Sequence, residues 1–308
     1  MKIGFVGPVP PIRGGISQHS ARVLEAIQQL GHGIAIHSWQ SQYPGLLYRR
    51  PERDALAAAF PNVSWSLRWW NPMTWRTVGK DLQRVDRIII PWTVPVHGPH
   101  YLSIMRIANV PVTVHVHNAL PHEQLPASEW MARRVLGRAD RLVTHSSSVA
   151  AVCTDLTGNR SVSVVPHPPD LPVIRRPLPQ GPLRLLALGY LRDYKGTDLA
   201  IQAIARLAEG GDDVRLTVAG EPWDRKPEPW RDLVRRLRVE GRVTLRLEYQ
   251  SDQDLAELLA SHHALIAPYR SATQSGVVAQ ALAAGRPVVA TRVGGIPDLV
   301  VDGKNGTL

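Results

Sequence analysis

Short apolar runs and amphipathic stretches alternate along most of the chain, and this alternation limits the fold more than any other feature. Residues 2–7 form an apolar run, and residues 16–30 then carry apolar side chains every three or four positions. That spacing predicts a helix ending at Gly31, after which residues 34–37 begin a second strand. Strands and helices in this order predict a parallel sheet wrapped by helices.

The first half of the chain predicts one doubly wound domain over residues 1–170. Further apolar runs predict strands at residues 87–90, 112–115 and 141–144. The stretch between residues 39 and 80 is rich in tryptophan and less regular, so no helix or strand is predicted within it.

Proline recurs between residues 166 and 182, where the sequence reads PHPPDLPVIRRPLPQGP. Because proline interrupts both helices and central strands, an interdomain linker is predicted at residues 171–182. The alternation then continues through residues 183–308 and predicts a second parallel α/β domain. Its predicted strands are 184–188, 214–219, 243–247, 264–267 and 287–290, and its predicted helices are 197–208, 230–239, 252–259 and 276–284. The chain stops at GKNGTL, a predicted turn, so we expect this domain to lack its last helices.

Charge and cysteine content limit the partners and the compartment. The chain carries 36 basic and 26 acidic residues, a net charge of +10. This balance suits nucleotides, phospholipid surfaces or nucleic acid, although a solvated arginine-rich surface explains it equally well. A single cysteine, Cys153, and the lack of any Cys/His cluster spacing predict no disulfide, no structural zinc and a cytoplasmic setting. No apolar run approaches the roughly 18 residues of a membrane span, and no RNP or zinc-finger spacing supports nucleic-acid binding.

Two loops are candidate anion sites, one with adjacent glycines and the other with two basic residues. Gly14 and Gly15 lead directly into the first predicted helix, where backbone N–H groups and the positive helix end favour an anion. Arg192 and Lys195 follow a predicted strand and precede the helix at residue 197. Such a pair can neutralise a diphosphate, although two solvated surface cations would give the same pattern. Because open α/β sheets bind ligands at the carboxyl ends of their strands, we expect a site in a cleft between the two domains.

The segment 268–297 adds two turns, rich in glycine or serine, to the predicted ligand site. It runs from a strand through a small polar loop and a helix to Gly285, then through another strand to Gly294 and Gly295.

A D-x-D sequence at Asp252 and Asp254 indicates either a metal-bound nucleotide or a helix start, and the helix start is favoured.

These motifs together resemble the retaining GT-B glycosyltransferases of family 4, the glycogen-synthase and phosphatidylinositol-mannosyltransferase type. The resemblance covers essentially the whole chain. Its motifs are the glycine loop, HNALPHE (117–123), THS (144–146), VVPH (164–167), RDYKG (192–196), VAGEPW (218–223), APY (267–269) and ALAAGRPVVATRVGGIPDLV (281–300). The resemblance implies two Rossmann-like domains facing a cleft, with a nucleotide-diphosphate sugar on the second and the acceptor on the first.

The same resemblance implies individual roles. Arg192 and Lys195 match the basic pair on the donor diphosphate, although the arginine lies two places later than in the commoner spacing. Gly14 and Gly15 match the loop that closes over the phosphates or the acceptor. His117 matches the histidine near the reacting sugar, and since His115 and His117 alternate along an extended segment, one of the two is expected only to pack.

The main departure concerns the two glutamates of the family, spaced E-x7-E. At the matching positions this chain has Ala272 and Gln280. The amide of Gln280 can bond ribose hydroxyls, whereas Ala272 offers nothing to a sugar. The remaining candidates for contact with the donor are Gly220, Thr273, Gln274, Ser275 and Gly276.

The resemblance therefore implies transfer of a hexose from a UDP-, GDP- or ADP-sugar to a hydroxyl acceptor, with retention and with neither metal nor cofactor. Two alternatives remain at this point: an inactive nucleotide-sugar-binding homologue, and a GT-B sugar-nucleotide epimerase.

A cluster of tryptophans and arginines in the irregular region is a separate candidate surface. It predicts either a sugar or lipid-linked acceptor surface, with peripheral membrane contact, or ordinary packing of peripheral helices. The residues are Trp65, Arg68, Trp69, Trp70, Trp75 and Arg76.

Overall fold

The computed structural model describes residues 1–43, 53, 58–120, 127–158, 161–169, 173–223 and 226–308. The chain divides into two compact units, Met1–Val165 and Pro166–Leu308. The segment predicted as a linker groups with the second unit: Arg175 Nε donates to the Ala283 carbonyl, and the Arg286 guanidinium donates to the Arg176 carbonyl.

The first unit is built on a seven-stranded parallel sheet with the order β3-β2-β1-β4-β5-β6-β7. The strands are β1 (Lys2–Val6), β2 (Gly33–Ser41), β3 (Val63–Arg68), β4 (Arg87–Trp92), β5 (Val112–Val116), β6 (Arg141–Thr144) and β7 (Val162–Val164). The helices are α1 (Gly15–Gln29), α2 (Pro72–Asp81), α3 (Gly98–Ala108), α4 (Ser128–Arg138) and α5 (Ser147–Thr157).

Alternation along the strands separates the two faces of this sheet. Val112, Val114 and Val116 of β5 belong to the large core that includes side chains of α2 to α5. Phe5 of β1 instead packs with Leu24 of α1 on the opposite face. The side chains of residues 113, 115 and 117 therefore point to the face of the sheet that α1 covers.

The region predicted as irregular contains β3 and α2. Asn71 caps α2 through a hydrogen bond from the Met73 N–H to its side chain, and Pro72 occupies the first helical position. The tryptophans mostly pack: Trp65, Trp69 and Trp75 lie against the core. Only Trp70 among the four is largely exposed, at 53%, so the structure favours the packing alternative for the other three.

The second unit is built on a six-stranded parallel sheet with the order β10-β9-β8-β11-β12-β13. The strands are β8 (Leu183–Leu188), β9 (Val214–Ala219), β10 (Val243–Arg246), β11 (Ala264–Ala267), β12 (Val288–Ala290) and β13 (Gly306–Thr307). The helices are α6 (Thr197–Glu209), α7 (Glu228–Arg236), α8 (Asp252–Ser261) and α9 (Gly276–Ala283).

Most predicted elements of this unit are confirmed, and the differences lie at element ends. Helix α7 starts two residues before its predicted position, and residues 306–307, predicted as a turn, pair with β12 as β13. The D-x-D sequence forms a capping box: the Ser251 hydroxyl accepts from the Asp254 N–H, and the Asp254 carboxylate accepts from the Ser251 N–H. The helix-start interpretation is therefore confirmed.

Both sheets reverse their strand order at one place, between β1 and β4 in the first unit and between β8 and β11 in the second. Loops leaving the strands on either side of such a point diverge and leave a crevice at the carboxyl edge of the sheet. This topology confirms the predicted class of two doubly wound parallel α/β domains. None of the helices in the described ranges combines the length and apolarity that a bilayer crossing requires.

Candidate functional site

Lys195 lies at the carboxyl end of β8, beside the strand-order reversal of the second unit. Its Nζ is 3.5 Å from the carbonyl oxygen of Leu188 and 5.6 Å from the centre of the Tyr269 ring. Burial lowers the pKa of Lys195, and the nearby charge of Arg192 lowers it further. An anion bound here would raise the pKa of Lys195 again, because an opposite charge stabilises the protonated ammonium.

Arg192 is held by an aromatic side chain from the neighbouring strand loop. Its guanidinium carbon is 3.9 Å from the centre of the Trp223 ring. Backbone hydrogen bonds fix this contact, since the Leu191 N–H donates to the Glu221 carbonyl and the Trp223 N–H donates to the Leu191 carbonyl. Trp223 was not singled out from the sequence, although it ends the VAGEPW motif.

The loop after β11 is tied to the start of α6. Arg270 donates to both carboxylate oxygens of Asp198, at 2.8 and 2.6 Å, and to the Asp193 carbonyl at 2.7 Å. The hydrogen bonds from Arg270 hold the pKa of Asp198 below its usual range. This pairing joins the two loops that flank the strand-order reversal.

The predicted donor loop forms the amino-terminal end of α9. The Ser275 hydroxyl accepts from the Val278 N–H at 3.3 Å and so caps the helix. Thr273 and Gln274 are half-buried before it, and Gln280 is only 2% exposed one turn further along. His167 of the VVPH motif lies beside Gly276, where an added Cβ would meet the imidazole at 3.4 Å; its role was not predicted from the sequence.

Two glycines allow backbone segments of this edge to touch. Gly220 has φ +141°, and a Cβ there would lie 2.2 Å from the Gly189 carbonyl oxygen. Gly294 has φ +53°, and a Cβ there would lie 1.6 Å from the Ala272 carbonyl oxygen. Neither position accepts another residue without displacing the neighbouring loop, so both glycines are needed for the shape of the site.

The first unit places Gly14 and Gly15 in open surroundings. Gly14 precedes α1 with φ +122°, and no heavy atom lies within 4 Å of a Cβ built on either glycine. The amino-terminal end of α1 is therefore accessible, as a loop that covers a ligand requires.

His117 lies in a group of four imidazoles, called here the imidazole cluster: His19 of α1, His115 of β5, His117 and His145. His117 is 4% exposed. The ring centres are 4.4 to 5.5 Å apart, with His115 and His145 the nearest pair and His117 and His145 the most distant. His115 and His117 thus share one environment, whereas the sequence predicted that one of them would simply pack. The rest of the motif, residues 121–123, lies outside the described residues.

The structure groups the predicted residues by unit. In the second unit Arg192, Lys195, Gly220 and the loop 273–276 lie at one edge of the sheet. Gly14, Gly15 and His117 lie at the carboxyl edge of the first. Sequence reasoning missed His19, His145, His167 and Trp223, and of these His145, His167 and Trp223 belong to motifs from which they could have been found.

Two protein-family models match the chain. The model described as "Glycosyltransferase Family 4" matches residues 13–172, and the model described as "Glycosyl transferases group 1" matches residues 182–308. A D-inositol 3-phosphate glycosyltransferase from Mycobacterium bovis is 32% identical over 70% of this chain and 46% of its own length. Glycogen synthase from Mycobacterium tuberculosis is 26% identical over 96% of this chain and 79% of its own.

Among solved structures, HepE of Anabaena in complex with UDP and glucose has a TM-score of 0.73 over the whole chain and 85% of its own, at 18% identity. At that identity the likeness concerns the fold alone, and it confirms the GT-B class. The chain spans about half the length of the inositol 3-phosphate glycosyltransferases that it matches. The resemblance drawn from the motifs is confirmed: the chain belongs to glycosyltransferase family 4.

Proposed function

We propose that this chain transfers a hexose from a nucleotide-diphosphate sugar to a hydroxyl acceptor, with retention of configuration. The proposal rests mainly on Lys195, a partly buried ammonium with a lowered pKa that lies beside the strand-order reversal with Arg192. Two fixed cations in this position favour a diphosphate, since charge-assisted hydrogen bonds to phosphate are strong. The UDP complex of HepE, a protein of the same fold, supports a nucleotide-diphosphate sugar as the donor.

In the proposed reaction the bond between the anomeric carbon and the phosphate oxygen breaks, and a bond to the acceptor oxygen forms on the same face. The leaving phosphate oxygen accepts the acceptor's proton, so no carboxylate base is required. Arg192 and Lys195 stabilise the charge that develops on the diphosphate, and we propose that no metal is needed there. His117 of the imidazole cluster is the candidate for hydrogen bonding to a sugar hydroxyl.

The experiment offers UDP-, GDP- and ADP-hexoses to the full chain and measures release of the nucleoside diphosphate. Lys195→Ala is expected to reduce turnover by about 100-fold or more, since one phosphate-stabilising group is worth roughly 3 kcal/mol. Arg206→Ala is the matched control, because this exposed cation lies near the opposite end of α6. Equal turnover in the two variants would contradict the assigned role of Lys195.

A second candidate, nucleotide-sugar binding without turnover, is favoured by one observation. The methyl side chain of Ala272 has no polar atom to bind a sugar hydroxyl, and the Ala272 carbonyl lies against Gly294. Retained donor binding with no release of nucleoside diphosphate would select this alternative. Conversion of the donor to an epimer without acceptor would select an epimerase instead.

A further inference from the structure

The imidazole cluster brings together side chains from three distant parts of the first unit. His19 lies in the second turn of α1, His115 lies on β5, and His145 directly follows β6. One ring nitrogen from each of these three lies within 4.8 Å of the corresponding nitrogens of the other two. We propose that His19, His115 and His145 form a binding site for a divalent transition-metal ion of the Zn²⁺ class, with one coordination position open.

The orientation of His145 is the first support. Its Nδ1 lies 2.8 Å from the carbonyl oxygen of Val165. A carbonyl oxygen only accepts hydrogen bonds, so Nδ1 carries the proton of the neutral ring and Nε2 carries the lone pair. Metal-binding histidines are typically held in this way, with the second ring nitrogen donating to a backbone carbonyl or a carboxylate.

The positions of the other two rings are the second support. His115 lies 4.4 Å from His145 and His19 lies 4.8 Å from it, measured between ring centres, and the rings meet edge to face. A tetrahedral zinc ion bonded at about 2.0–2.1 Å needs its nitrogen ligands roughly 3.4 Å apart. The three nitrogens therefore have to close by about 1.4 Å at most, which small side-chain rotations can supply.

The chemistry of the ligand set decides the class of ion. Neutral imidazole suits Zn²⁺ and its neighbours in the first transition series, whereas Mg²⁺ and Ca²⁺ prefer oxygen ligands. Sites with three protein ligands leave the fourth position for water or a substrate oxygen. His19 and His145 are buried, whereas His115 is only half-buried. Solvent can therefore approach the site on the side of His115.

This inference departs from the expectation of a metal-free protein, and it does not depend on the proposed function. The sequence could not indicate the site, because the three histidines have none of the regular spacings from which metal ligands are recognised. His117 lies 4.6 Å from His115 between ring centres and is not assigned as a ligand here.

The test uses the untagged full chain, freed of metal with a chelator and titrated with Zn²⁺ by calorimetry in the absence of any nucleotide sugar. One equivalent is expected to bind, and His19→Ala and His145→Ala are each expected to weaken binding by on the order of 100-fold. His32→Ala is the matched control, since this histidine belongs to the same unit but not to the cluster. Affinities in the two cluster variants equal to that of the control would overturn the proposal.

A second measurement needs no variant and so remains decisive if the buried substitutions unfold the chain. X-ray absorption of the zinc-loaded wild-type chain is expected to show three imidazole ligands at about 2.0–2.1 Å. Fewer than three imidazoles, or no binding of Zn²⁺ by the folded chain, would contradict the site. Because the titration contains no donor sugar, failure here is distinct from failure of the proposed transferase activity.

Discussion

The two sheets share the same order around their central strands, yet their carboxyl edges carry different chemistry. The edge of the first unit carries the imidazole cluster and two glycines in open surroundings. The edge of the second carries Arg192 and Lys195, together with glycines that allow backbone segments to touch. The same topology therefore underlies two proposed sites, one for neutral hydroxyl groups or a metal ion and the other for a diphosphate. Function in such sheets depends on the loops that the strands present, not on the strand order itself.

The largest effect is expected from the contrast between the glycines of the two units. Gly294→Ala places a Cβ in the carbonyl of Ala272 and adds strain at a positive φ, so it should lower the free energy of unfolding by about 3 kcal/mol or more. Gly15→Ala meets nothing within 4 Å and should change it by less than about 1 kcal/mol. Urea denaturation of both variants provides the measurement. A similar loss of unfolding free energy in both variants would show that the second unit does not depend on the close contact between Gly294 and the Ala272 carbonyl.

The next effect concerns a buried histidine of the first unit and its response to acid. Burial and the neighbouring His100 lower the pKa of His97 in the first unit to about 3. Between about pH 3 and the ordinary pKa near 6.5, His97 is protonated in the unfolded chain and neutral in the folded chain. Stability is therefore complete above pH 6.5 and falls as the pH decreases towards 3, by at most about 1.4 kcal/mol per pH unit for each such histidine.

Calorimetry from pH 7.5 to 5 on the wild type and on His97→Gln measures this effect. The glutamine cannot titrate but retains an N–H for the Gln42 carbonyl, which His97 meets at 3.3 Å. A weaker dependence of stability on pH is expected in the variant. An unchanged dependence would mean that His97 is not the group whose protonation destabilises the fold.

The smallest of these effects concerns the aromatic partner of Arg192. Trp223→Ala removes the ring beneath the guanidinium and should weaken nucleoside-diphosphate binding by about twofold to fivefold, as an exposed cation–π contact of 0.5–1 kcal/mol implies. Trp130→Ala removes a comparable contact with Arg134 in the first unit and should leave binding unchanged. Fluorescence titration with UDP compares the two. Equal effects would assign Trp223 no particular role.

The elements of the second unit were easier to predict than those of the first for a physical reason. Strand β11 and the last four residues of β8 are largely buried on both faces and so form short continuous apolar runs. Strand β3 lies at the edge of its sheet and has no continuous apolar run, but its alternation of Val63, Trp65 and Leu67 with polar residues is typical of a half-buried strand and could have been recognised. Helix α2 could have been predicted, because Asn71 and Pro72 form a recognisable helix start.

Parts of the two candidate sites could be predicted to different extents. Arg192 and Lys195 are close in sequence and share one loop, so their pairing could be read directly. The imidazole cluster joins residues 19, 115 and 145, whose proximity depends on how α1 covers the sheet. Sequence spacing carries no information on such contacts until the tertiary fold is known. The contact between Arg192 and Trp223 was missed for the same reason, since it depends on the pairing of β8 with β9.

The division of chemistry between the two edges is tested most directly by calorimetric titration of UDP into the wild type, Lys195→Ala and His117→Ala. Lys195→Ala is expected to weaken UDP binding by about 100-fold, because it removes one partner from a charge pair, and His117→Ala is expected to change it by less than about twofold. An unchanged affinity in Lys195→Ala, or a greater loss in His117→Ala, would contradict the assignment of the diphosphate to the second unit.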